Sequence, residues 1–440
     1  MERKPQKNRK KAVKYPYFLS EILLAVAPAV LLFSFGSGGY TDIQDVKNRV
    51  FLLLFGGYLL LMLLFTLEML LLRTIKLCSP GELWRQSSAV QRLVALFWAA
   101  SVLSALVSPH FPQTLLGMSR NEGLLTVTVY CGCFLCLSVY GRIKEYMLWV
   151  AGGAMSVFAV ICLLQLRGLN PLGLFPEGYN YFDADIAYTG SYLGTTGNAG
   201  ITAALLCLAF PVFWVLLLRL KGKTRLLLLI PAALCLAVLV QMRVEAGWAA
   251  VLVGTPVTCA AVIPMKAGRR KWLWAGVAAL FAAGLAWVFF GSHSGSLLEL
   301  QQVLRGNWDP SFGSYRADIW QKVLAKIPER LLLGAGPDTM LAAGIAVGVS
   351  PVDAAHNEYL NVLYHQGLLG LLCYGSALVV SAVGWLRRSP GNFRAAALGA
   401  GVLGYCIQAC FSISMCQSAG LFWIVWALLE RAGRNEEVLL

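Results

Sequence analysis

The feature that most limits what this chain can become is its series of apolar runs, each close to the length of one bilayer crossing. A spanning helix needs about 20 mostly apolar residues. Such runs recur near 17–35, 49–72, 89–107, 123–140, 146–165, 199–218, 226–241, 248–264, 272–290, 359–386, 395–413 and 416–430. A soluble fold needs a polar skin, yet charged residues are only 13% of this chain, against about 25% in an ordinary soluble domain. Hydrocarbon solvates apolar side chains directly and forces backbone groups to pair within the chain, which selects helices. The predicted fold is all-α: a polytopic membrane bundle of about 12 transmembrane helices, with a large extracytoplasmic loop between spans 9 and 10. The divisions read from the sequence are a cytoplasmic basic tail at 1–16 and transmembrane helices 1–9 over 17–290, with an outside loop near 166–198. The large outside loop at 291–358, transmembrane helices 10–12 over 359–430 and a cytoplasmic tail at 431–440 complete them.

Positive charge sets the expected orientation, because Lys and Arg are retained in the cytoplasm. Arg3, Lys4, Lys7, Arg9, Lys10, Lys11 and Lys14 precede the first run, which puts this tail inside. Alternation then leaves only Lys47, Arg49, Arg120, Arg167, Arg243, Arg305, Arg316, Lys322, Lys326 and Arg330, of 36 basic residues, in outside loops. The net charge of +14 thus reads as a topology signal, aided by anionic lipid. Charge spread over many short loops does not suit nucleic-acid binding. The first run lacks a small-residue cleavage site and is expected to stay as a span. The cysteines sit mostly within apolar runs and read as small buried hydrophobes. Cys131-Gly-Cys133 and Cys406…Cys410 lack the spacing of a metal site.

Long structured loops are usually functional, so chemistry is expected outside. In the large loop, Ile319, Trp320, Val323, Leu324 and Ile327 recur at helical spacing after Gly313-Ser314, which predicts an amphipathic helix lying near the outer membrane surface. A purely structural lid is the alternative. His356 stands before the next span with Asn357 and Glu358 beside it, and imidazole is the side chain best suited to take a proton near neutral pH. A solvated interfacial histidine is the plainer reading. Arg243 lies in the short turn between two apolar runs. A charge near membrane depth pairs with something or lines a polar cavity: Glu245 is one candidate partner, and a diphosphate, which guanidinium geometry matches, is the other. Arg316 has no strong intrahelical ion pair available at Asp318 or Trp320. Asp183-Ala184-Asp185 has the form of a metal–diphosphate motif, but two acids spaced by one are common by chance, and nucleotide sugars are absent from the outside.

Five segments, in order, carry a resemblance. Leu193-Gly194-Thr195-Thr196-Gly197-Asn198 before a span, Arg243 at a span end, Ser314-Tyr315-Arg316-Ala317-Asp318-Ile319-Trp320, Gly334-Ala335-Gly336-Pro337-Asp338, and Ala355-His356-Asn357-Glu358-Tyr359-Leu360 followed by Gln366-Gly367-Leu368-Leu369-Gly370 resemble motifs of the O-antigen ligase and polymerase superfamily. The likeness covers about 190–375; Met242 departs from it where relatives usually have Ser. It implies a metal-independent, inverting glycosyltransferase without cofactor, sited on the outer face of a bacterial cytoplasmic membrane. The donor would be a glycan on undecaprenyl diphosphate, and the acceptor a hydroxyl on glycan, lipid or protein. By position, His356 would act on the acceptor, Arg243 and Arg316 would hold the diphosphate, and Arg120 (in Gly117-Met118-Ser119-Arg120-Asn121-Glu122-Gly123) and Asn357 would contact substrate. A chain polymerase of the same superfamily is the alternative within the enzyme class. A lipid-linked glycan transporter or flippase is the alternative outside it, although no internal repeat of the kind such folds carry is evident. A membrane scaffold would leave the Arg and His positions unexplained.

Overall fold

A computed structural model describes residues 4–73, 75, 78–183 and 192–433. The expected all-α bundle is what these residues form. Its long helices are α1 (Lys4–Phe33), α2 (Ile43–Leu71, with a π-helical segment at Leu52–Gly56), α3 (Ala89–Val107), α4 (Leu124–Tyr140), α5 (Glu145–Gln165), α6 (Ala199–Arg219), α7 (Leu229–Gln241), α8 (Glu245–Val262) and α9 (Ala267–Phe290). Then come α10 (Ser296–Leu304), α11 (Arg316–Lys326), α12 (Glu358–Arg388), α13 (Phe393–Ala409) and α14 (Cys416–Ala432). Among the described residues, nine helices combine the length and apolarity needed to cross a membrane, against the twelve spans expected. The other three expected spans fall on α4, α13 and α14, each 17 residues long, a turn or so short of a full hydrocarbon crossing.

Apolar side chains face outward as well as inward. Leu53, Leu60, Leu61, Leu63, Leu64 and Leu71 of α2 are exposed, and α9 packs little of its surface against the rest. This pattern suits a chain whose surroundings are lipid. The interior is knit by α6, which packs along α13, α7 and α8. A side chain at Gly404 of α13 would meet the Cys207 carbonyl of α6, 2.2 Å from its Cβ position. Close backbone approach through small residues is how membrane helices gain packing without a hydrophobic driving force. An aromatic cluster joins α3, α4, α12 and α14: Tyr130 stacks on Trp423 with centroids 5.8 Å apart, and Phe97 and Tyr374 flank them.

The end of α1 shows how polar groups are managed in this setting. Lys47 is fully buried, and its Nζ donates to the Leu31 and Leu32 carbonyls at 2.6 and 3.2 Å. A cation there satisfies carbonyls that the helix leaves open and complements its negative end. At the same end of the bundle the connecting segments meet. Tyr40 Oη donates to the Gly194 carbonyl, Gln44 reaches the Ser119 carbonyl, and Asn121 pairs with Asp45. Segment 291–357 sits on this end, with α10, α11 and a two-stranded hairpin (β1 Ala346–Val347, β2 Ser350–Pro351).

Gly404→Val should lower the thermal midpoint of the purified protein in detergent, by the equivalent of about 1–3 kcal/mol for an overpacked contact. Gly57→Ala, where open space surrounds the added carbon and Ala is the better helix former, should not lower the midpoint.

Candidate active site

The turn that carries His356 is pinned from three sides. Helix α12 starts at Glu358, and Asn357 caps it, its Oδ1 accepting from Leu360 N at 3.0 Å. The Ala355 amide donates to Asn361 Oδ1 at 2.7 Å, and the Ala355 carbonyl accepts from Trp320 Nε1 at 2.8 Å. Between them His356 adopts a left-handed backbone, φ 51°. A non-glycine residue there costs energy and persists only when its surroundings hold it.

Trp320 belongs to α11, one turn beyond Arg316, so the same indole ties Arg316's helix to the histidine turn. Arg316 opens α11 after three successive left-handed residues, Gly313, Ser314 and Tyr315. Its Nη1 donates to the Gly313 carbonyl at 2.8 Å, and its Nε is buried without a partner. Glu245 lies within electrostatic reach of this guanidinium and also accepts from the Ser296 hydroxyl.

Arg120 arrives from the loop between α3 and α4. Its Nη2 forms an ion pair with Asp353 Oδ1 at 2.7 Å, and its Nη1 lies 3.6 Å from the Met415 sulfur. The loop is fixed by Asp338, a buried residue whose carboxylate accepts from Ser119 N at 3.2 Å, Ser119 Oγ at 2.9 Å and Arg120 N at 2.9 Å. Its carbonyl in turn accepts from Met118 N. An anion in a nest of backbone N–H groups is a strong lock.

The outcome is a half-buried imidazole within electrostatic reach of two cations and one carboxylate. Burial, then Arg120 and Arg316, push the His356 pKa down to about 4, with Asp353 opposing. The ring is therefore neutral at pH 7, free to accept a proton but weakly basic. Glu122, in the Asp338-bound loop, is shifted the other way: burial raises its pKa well above the carboxylate range, partly offset by the Tyr130 hydroxyl.

Of the residues singled out in the sequence, His356, Arg316 and Arg120 converge. Arg243 does not join them through any contact among the described residues. It is exposed at φ 53° in the α7–α8 turn, and Glu245, one of its two candidate partners, accepts from Ser296 instead. Asn357 lies at the site, but capping occupies its side-chain oxygen, leaving only its amide N–H groups for a substrate. Asp353 and Asp338 were not singled out as site residues. They pair with a loop more than 200 residues away, and no local spacing announces such a pairing. Asp185 of the Asp183-Ala184-Asp185 motif lies outside the described residues. Among the described residues, no three His, Cys, Asp or Glu side chains converge as a metal site would require.

Residues 230–375 match the family model described as O-antigen ligase. The matched segment includes Arg243, Arg316, His356 and Asn357, and supports the superfamily resemblance drawn from the motifs. No curated protein matches the chain.

Asp338→Ala should destabilise the protein by about 1–3 kcal/mol, because it strands buried donors of the 118–122 loop. Thermal unfolding in detergent measures this, with Asp183→Ala as the neutral control. The His356 ring, followed by its reactivity toward an imidazole-directed acylating reagent as pH is varied, should titrate near 4. Arg316→Gln should move that midpoint upward, since a neighbouring cation disfavours the imidazolium.

Proposed function

We propose that this membrane protein, which carries an O-antigen ligase domain, transfers a glycan from undecaprenyl diphosphate to an acceptor hydroxyl at the outer face of a bacterial cytoplasmic membrane. The observation that supports this reading most is the meeting of His356 with Arg316 and Arg120 at one end of a lipid-exposed helical bundle. A donor with an isoprenoid tail needs such a bundle, and its diphosphate needs fixed cations.

The acceptor oxygen attacks the anomeric carbon of the donor's first sugar from the face opposite the diphosphate. His356 takes the hydroxyl proton as the new C–O bond forms, and the bond from the anomeric carbon to the phosphate oxygen breaks. Its electron pair leaves with undecaprenyl diphosphate, and the configuration inverts. Arg316, with an unpartnered Nε, and the exposed Arg243 hold the diphosphate; guanidinium groups aimed at a leaving group stabilise the charge that grows there. Arg120, held by Asp353, adds to the positive field at a second substrate contact, and Asn357 offers its amide. Fixed cations do here what a divalent ion does elsewhere, so the reaction needs no metal or cofactor.

The field also sets the timing of the base. A bound diphosphate offsets the cations beside His356, so its proton affinity rises when the donor is present. A polymerase, with a second lipid-linked glycan as acceptor, would use the same residues.

The test is a transfer assay with a reconstituted enzyme and an undecaprenyl diphosphate-linked glycan, with and without EDTA. His356→Ala should lower kcat by about 10²–10⁴-fold, and Arg316→Ala by about 10²–10³-fold. Activity should survive EDTA. Variants that fold, insert and turn over like the wild type would sink this reading and favour a flippase. The acid limb of kcat/KM, which reports the free enzyme, should lie near pH 4, because His356 accepts a proton only above its pKa. The limb of kcat, which reports the donor-bound enzyme, should lie at higher pH.

A further inference from the structure

Beside the His356 turn lies a cavity of about 90 Å³ that none of the steps above uses. At about 10–15 Å³ per water it has room for roughly six or more. Arg120, Asp353 and Glu358 are among its walls, so it adjoins the turn that holds His356. Four of its lining residues present buried polar atoms without a hydrogen-bond partner: Arg120 Nε, His365 Nε2, Gln366 Oε1 and Glu358 Oε2, the last with Ser414 beside it. Gln366 and Glu358 are 5% and 7% exposed. Orphaned buried polar atoms are costly, and four around one cavity are explained by something that fills it.

The rest of the wall says what that is. Trp423, Tyr374, Phe97 and Tyr130 line the cavity with aromatic surface, which water does not use. Four acidic residues against the single Arg120 make it unsuited to phosphate. A pyranose ring presents an apolar C–H face and a rim of hydroxyls that both donate and accept, which matches aromatic walls edged by a carboxylate, an imidazole and an amide.

Resting on the transferase reading, we propose that this cavity binds one neutral sugar ring of a substrate glycan next to the reacting centre, with Glu358, His365 and Gln366 as its hydrogen-bonding residues. The ring belongs either to the donor or to the acceptor.

Two measurements test it. The first needs no turnover: thermal unfolding of the full chain in detergent, with a panel of neutral hexoses and N-acetylhexosamines at high millimolar concentration. At least one sugar should raise the midpoint of the wild type and of His356→Ala, but not of Gln366→Leu. That variant replaces an orphaned amide with an apolar group of similar size and should itself fold at least as stably. A panel without effect, or one acting equally on Gln366→Leu, overturns the proposal whatever the fate of the transferase reading. The second is the transfer assay. Gln366→Leu should raise KM by about tenfold, the equivalent of one hydrogen bond, for the donor if the ring is the donor's and for the acceptor if it is the acceptor's. Unchanged KM values for both substrates also overturn it.

Discussion

Helix α12 is broken at Gly367, and the backbone groups freed there are taken up by the segment before it. Ala335 N and Gly336 N donate to the Tyr364 and His365 carbonyls, Leu368 N and Leu369 N donate to Leu331 and Leu332, and Ser104 of α3 adds its hydroxyl to the His365 carbonyl. Where water is scarce each of these groups must find a partner within the protein, so the break and the 331–336 strip are obligatory to one another. Gly367 is at φ 69°, and an added Cβ would stand 2.3 Å from the Leu332 carbonyl oxygen. The exchange anchors segment 291–357 to the bundle, and the Trp320 bond to Ala355, internal to that segment, is a second anchor that holds α11 against the turn before α12. Between the two anchors lie Asp338, which organises the Arg120 loop, and Asp353, which pairs with Arg120.

Seen this way, the cations and the imidazole are set by backbone geometry more than by side-chain packing. Gly313, Ser314 and Tyr315, Asn121, Asp338 and His356 all take left-handed conformations within this region. Strained backbone gathers where surrounding bonds can hold it and where a side chain must be aimed. The consequence is a site made from three distant stretches of chain, each too irregular to form by itself.

The helices were legible because lipid imposes one rule on all of them: apolar length. The same rule blurred the count, since α4, α13 and α14 are short helices whose ends give way to polar connections. In the site, His356 and Arg316 were legible because each stands at the start of a helix, where polar residues interrupt a periodic pattern. The resemblance groups Arg243 with them by its position at a span end, but the structure shows only that its turn neighbour Glu245 reaches Arg316's field. Asp338 closes one of the resembling segments, but neither it nor Asp353 carries a local mark of its partner. Their partners are selected by tertiary folding, and a single carboxylate in a loop reads the same whether it is solvated or buried.

The capping of α12 by Asn357 has one more implication. His356 stands just outside the positive end of that helix and within the field of Arg120 and Arg316, so the helix and both guanidinium groups disfavour its protonation. Placed so, the imidazole is sensitive to charge: an anion arriving beside Arg120 and Arg316 would raise its proton affinity, whatever molecule carries that anion.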